Sequence, residues 1–148
     1  MIKNIFILLI FIITNLLEVG FLKPFFYNFL FLNVVVIVVF ATNPKFYTQS
    51  LFMAFVYGIL LNILFASNLF LLPLIFVCVV FVINKLGLWF GEKMIQKLIY
   101  VFLSIVILRF VFGKGLLLQI LGYEIVFALI YTIIINFLFN LIKTYVDL

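Results

Sequence analysis

Histidine is absent from this sequence, and its only aspartate is Asp147. Those two gaps remove histidine-based catalytic triads and the common His-rich metal centres. They also remove intramembrane aspartyl proteases, which need two aspartates, and phosphatidyl-transfer enzymes built on acidic metal sites. Acids are scarce altogether, since Glu18, Glu92 and Glu124 complete the set. The single cysteine, Cys78, lies in an apolar run with no second cysteine to bridge to, so it reads as a small packing residue. Charged residues make up 9% of the chain, whereas a soluble domain carries about 25%. The net charge of +5 is scattered over short connections, which excludes a nucleic-acid surface. No metal, no cofactor and no enzymatic activity is expected.

What fills the space instead is apolar. Of 148 residues, 70% are hydrophobic, and the mean hydropathy is +1.56. No soluble fold of this length has enough interior to hide that much apolar surface. The expectation is therefore an all-α integral membrane protein, with residues 1–148 forming a single polytopic domain whose partners include membrane lipids. A spanning helix takes about 20 apolar residues, so about six spans fill most of the chain. Apolar runs broken by turn chemistry place helices 1 to 6 near 4–21, 25–41, 50–66, 69–86, 95–112 and 117–142. The breaks fall at Lys23-Pro24, Thr42 to Lys45, Ser67-Asn68, Gly87 to Lys93, and Gly113 to Gly115. The β-branched stretch Val34 to Phe40 reads as helix, because an open strand in lipid leaves its backbone unsatisfied. The first apolar run imitates a signal peptide, but Glu18-Val19-Gly20 follows it where a cleavage pattern belongs, so it reads as a retained helix.

Orientation follows from the lysines. With the N-terminus inside, Lys3, Lys45, Lys85, Lys93, Lys97 and Lys143 face the cytoplasm, while Lys23, Lys114 and Arg109 lie opposite. This predicts both termini on the cytoplasmic side of a bacterial inner membrane. Trp89 and Tyr145, expected just past helices 4 and 6, suit the interface. Glu92, in the connection beside Lys93, reads as solvated.

Two kinds of candidate site remain. Glu18 and Glu124 lie near the outer ends of helices 1 and 6, and with Arg109 they form a possible polar cluster. An acid at bilayer depth is costly and is a functional candidate, whereas at the interface it is hydrated or paired with Lys23, Arg109 or Lys114. The second signal is periodic. Ser50, Ala54, Gly58, Asn62 and Ala66 recur every four residues on helix 3, and helix 6 repeats the device with Glu124, Ala128, Thr132, Asn136 and Asn140. Small residues at this period let helices approach closely, and a buried Asn adds an interhelical hydrogen bond. Such stripes pack the chain's own bundle, receive a partner's helix, or line a ligand pocket. Asn4, Asn15 and Glu18 lie along a looser face of helix 1, and Asn33 stands alone on helix 2.

The segment from Ala54 through Tyr57-Gly58, Asn62 and Ser67-Asn68 to Leu69 resembles the rod shape-determining protein MreD family. That family's third helix carries Gly, three apolar residues, Asp, then a small-residue turn. Here Asn62 stands in the Asp position, Phe70 replaces a glycine after the turn, and Pro73 is an addition to helix 4. The resemblance implies a non-catalytic scaffold subunit of the cell-elongation complex for peptidoglycan synthesis. Its implied partner is an MreC-like single-pass protein, with RodA and a class B penicillin-binding protein beyond it. It also implies a six-helix bundle similar to the substrate-binding subunits of energy-coupling-factor vitamin transporters, and such a subunit is the alternative function.

Overall fold

The computed structural model describes residues 1–18, 32–65, 71–111 and 118–146, with the backbone alone described at 64–65, 109–111, 118–124 and 146. Among the described residues six α-helices follow one another: α1 (Ile2–Leu16), α2 (Leu32–Ala41), α3 (Tyr47–Phe65), α4 (Leu71–Phe90), α5 (Met94–Val111) and α6 (Leu118–Val146). No strand occurs among the described residues. Among the described residues, three stretches, Pro44–Ile63, Leu71–Phe90 and Ile125–Tyr145, are long and apolar enough to cross a membrane, and Ile2–Leu16, Leu32–Ala41 and Met94–Leu108 are shorter apolar helices.

The centre of the molecule is α2. All ten of its residues are buried, and it packs against each of the other five helices. Its sequence explains the position: it is apolar around the whole circumference except at Asn33, so no face is suited to water. A run of Val and Ile would favour a strand in a sheet, but here every side of the segment is covered by helix. Its backbone groups are then satisfied only within the helix itself. Asn84 of α4 completes its C-terminus, donating to the orphan carbonyl of Ala41 at 3.0 Å.

Around this axis the helices alternate in direction. The start of α1, the α2–α3 turn, the α4–α5 turn and the end of α6 lie together at one end. The Lys3 ammonium donates to the Lys45 carbonyl there, and Lys143 pairs with Glu92 at 2.9 Å. The rings of Phe40, Phe46 and Phe139 meet edge-to-face at 5.3–5.5 Å, tying α2, the α2–α3 turn and α6 together. The turn itself is a short 3-10 segment, Pro44–Phe46, with the Asn43 side chain accepting from the Lys45 amide at 2.9 Å.

Two close approaches fix the packing. Gly58 lies against the backbone of Leu72 and Pro73, so α3 and α4 pack backbone to backbone there. Gly87 lies against the backbone of Thr42 in the same way. Pro73 is tolerated because it occupies the first turn of α4, where its missing N–H has no intrahelical partner.

The sequence expectation of helix 4 ending at 86 is corrected: α4 runs through Lys85, Gly87 and Trp89 to Phe90, leaving only residues 91–93 as the connection. Gly91 makes the stop, with φ of 100°, and the Tyr100 hydroxyl donates to the Leu86 and Gly91 carbonyls. Trp89 and Tyr145 therefore lie on helices rather than past them, both exposed. The expected helix 2 residues 25–31 and the breaks at 23–24, 67–68 and 113–115 lie outside the described residues.

Candidate functional site

Glu18 follows α1 directly, in a wider π turn with Leu17, and is 5% exposed. Its carboxylate is held by side chains from two other helices. The Tyr57 hydroxyl of α3 donates to one oxygen at 2.7 Å, and Asn33 of α2 donates its side-chain amide to the other. The backbone N–H of Asn33 points to that second oxygen as well, at 3.4 Å. Asn33 also donates to the Asn15 side-chain oxygen at 2.9 Å, and Asn15 donates back to the Phe11 carbonyl. One turn before Glu18, the Thr14 hydroxyl shares a 2.7 Å hydrogen bond with Tyr131 of α6. Glu18, Asn15, Thr14, Asn33, Tyr57 and Tyr131 thus link α1, α2, α3 and α6 through polar contacts in an otherwise apolar interior. The side-chain oxygen of Asn33 is buried with no hydrogen-bond partner among the described residues.

Helix geometry explains the arrangement. Thr14 and Glu18 are four residues apart and Asn15 and Glu18 three, so all three fall on one face of α1. Asn33 meets that face because α2 starts beside the end of α1, and Tyr57 reaches in from the middle of α3. Interhelical hydrogen bonds of this kind stabilise a membrane bundle by about 0.6–2 kcal/mol each. Chemically the cluster fixes a carboxylate between helices. Among the described residues there is no group of three or more His, Cys, Asp or Glu side chains able to hold a metal.

A second polar group lies at the lysine-rich end. Lys97 was expected in a cytoplasmic connection, yet it is 2% exposed. Its ammonium donates to Asn136 at 2.8 Å and lies 3.9 Å from the centroid of the Phe139 ring, with its stem packed inside the bundle. Glu92, expected to be solvated, accepts from Lys143 instead and so ties the α4–α5 connection to α6.

The helix 3 stripe turns inward. Ser50, Ala54, Gly58 and Asn62 are all buried, with the Ser50 hydroxyl bonding back to the Phe46 carbonyl at 2.9 Å. On α6, Ala128 and Thr132 are fully buried, Asn136 is half-buried on Lys97, and Asn140 is exposed. The two stripes therefore do not form one continuous face. Ala66 and the side chains of Glu124 and Arg109 lie outside the described residues. Sequence reasoning missed Tyr57, Thr14 and Tyr131, because Tyr and Thr in an apolar helix give no periodic signal. The Thr14-to-Glu18 spacing is the clue that could have marked them. Comparison with protein-family models, curated proteins and solved structures returns no match for this chain.

Proposed function

We propose that this protein is a non-catalytic, multi-pass subunit of a bacterial inner membrane that holds a partner's transmembrane helix in the cell-elongation machinery. The observation that carries this reading is the division between inside and outside. Described polar side chains of the cluster bond to one another between helices, while the outward faces bear large apolar groups such as Phe52 and Ile63 on α3, Leu74 and Phe81 on α4, and Ile95 and Phe102 on α5. A surface of that kind is suited to lipid and to other helices, and not to water. Six lysines fall toward one end of the bundle, which by the positive-inside rule is the cytoplasmic end and carries both termini.

The link to the elongation machinery rests on the likeness of the Ala54-to-Leu69 segment to the MreD family. Because Gly58 and its stripe are engaged within the chain, the partner's helix meets an outward apolar face instead. A second reading, the substrate-binding subunit of a vitamin transporter, is favoured by one observation: the buried, unpartnered amide oxygen of Asn33 among the described residues.

The test is purification of tagged protein from its own host in mild detergent, with mass spectrometry of what accompanies it. A single-pass coiled-coil protein together with wall-synthesis enzymes is the expected result. A membrane coupling subunit with two ATPases, or a bound vitamin, replaces the scaffold by transport.

A further inference from the structure

An apolar groove runs along the lysine-rich half of the molecule, between the start of α1 and the end of α6. It encloses about 920 Å³ between Phe6, Leu9 and Ile13 on one wall and Leu138 and Leu141 on the other, with Lys3 and Tyr145 also lining it. We propose that this groove is a binding site for one anionic phospholipid, its acyl chains lying between α1 and α6 and its phosphate meeting Lys3. The proposal rests on the membrane reading above but not on the scaffold role.

Depth selects the occupant. From Lys3 to Ile13 the α1 wall is ten residues long, about 15 Å at the helical rise. A bilayer's hydrocarbon core is about 30 Å thick, so the groove reaches through about one leaflet. A partner's transmembrane helix needs a seat along the whole thickness. Here the walls stop at Ile13 on α1 and at Leu138 on α6. A single leaflet is the depth of a lipid's acyl chains.

Charge selects the headgroup. The Lys3 ammonium is held in place by the Lys45 carbonyl at 3.1 Å and by the Phe46 ring 4.5 Å below it. The start of α1 is held there too, by Gln49 donating to Asn4 at 3.0 Å. An ammonium has three N–H groups, and the carbonyl takes one, leaving donors for a phosphate. Among the described residues, the acid at that end, Glu92, is paired with Lys143.

The test uses the full chain purified in mild detergent and titrated with phosphatidylglycerol or phosphatidylcholine of identical chains, read by native mass spectrometry. Wild type is expected to take up one phosphatidylglycerol about fivefold more readily than phosphatidylcholine, the factor one lysine contributes towards an anionic headgroup. Lys3→Gln abolishes that preference. Leu141→Trp fills the groove and lowers uptake of both lipids, while Lys93→Gln, on a lysine that does not line the groove, leaves the preference intact. Equal uptake of the two lipids by wild type overturns the proposal, as does a preference that Lys93→Gln removes and Lys3→Gln spares. A dimer, or a co-purifying helix, that Leu141→Trp dissociates overturns it in favour of a protein occupant. A chain that washes off membranes in alkaline carbonate overturns the membrane reading with it, whereas one that resists carbonate but shows no preference overturns the lipid site alone.

Discussion

Replacing Gly58 by alanine sets two opposed effects against each other, and the structure decides between them. Alanine is the better helix former, by about 1 kcal/mol over glycine. Yet a Cβ at position 58 would stand 2.6 Å from the Pro73 nitrogen and 3.0 Å from the Leu72 carbonyl carbon. Ordinary contact begins near 3.5 Å, so α3 and α4 must part by roughly 1 Å. The atoms met, the Pro73 Cα among them, are backbone with no rotamer to turn away, so the cost falls in the upper part of the overpacking range, about 2–3 kcal/mol. The clash wins, and Gly58→Ala is expected to destabilise the bundle by about 1–2 kcal/mol after the gain in propensity. Gly58→Leu exceeds this and is also expected to exceed Asn62→Ala, since an interhelical hydrogen bond in a membrane bundle contributes only about 0.6–2 kcal/mol. Unfolding equilibria in mixed micelles, read by loss of tertiary fluorescence, supply the comparison. A Gly58→Ala protein as stable as its parent would refute the close-packing argument, and so would a Gly58→Leu protein no weaker than Asn62→Ala.

Within the Glu18 cluster, Glu18→Leu strands the Asn33 amide and the Tyr57 hydroxyl together, whereas Glu18→Gln keeps an acceptor. The leucine variant is expected to be the less stable by about 1–3 kcal/mol in the same unfolding assay, and equal stability would contradict the hydrogen-bond geometry. Asn136→Leu leaves the buried Lys97 ammonium without its 2.8 Å acceptor and is expected to cost about 1–3 kcal/mol. Adding Lys97→Met should recover most of that loss, since the methionine keeps the packed stem without the charge, and a strictly additive double variant would argue against the pairing. Gly87→Ala, whose Cβ would sit 2.5 Å from the Thr42 carbonyl oxygen, should destabilise to an extent similar to Gly58→Ala, as measured by thermal aggregation in detergent.

The number and alternation of helices were legible because each apolar run is long and the punctuation between runs is turn chemistry. What failed was punctuation that serves packing. Gly87 read as the start of a break, but it is small because the Thr42 backbone lies against it, and α4 continues past it to Phe90. Lys97 read as part of a cytoplasmic connection because a lysine near a helix start carries no sign of its partners. Its burial depends on Asn136 and Phe139, about forty residues away in sequence. Asn33 looked isolated for the same reason, since Asn15 and Glu18 become its neighbours only when α1 and α2 fold against each other. The helix 3 stripe was visible as a period of four, but periodicity does not say what lies opposite. In the structure it is the chain's own α4 at Gly58.

The proposed membrane topology is tested most directly by impermeant thiol labelling in intact cells. With Cys78 replaced by alanine, single cysteines are introduced at Lys93, in the α4–α5 connection, and at Asn68, in the segment between α3 and α4. The six-helix arrangement with its lysine-rich end in the cytoplasm predicts labelling at position 68, and labelling at 93 only after the cells are opened. Labelling of both positions in intact cells, or of 93 alone, would contradict it.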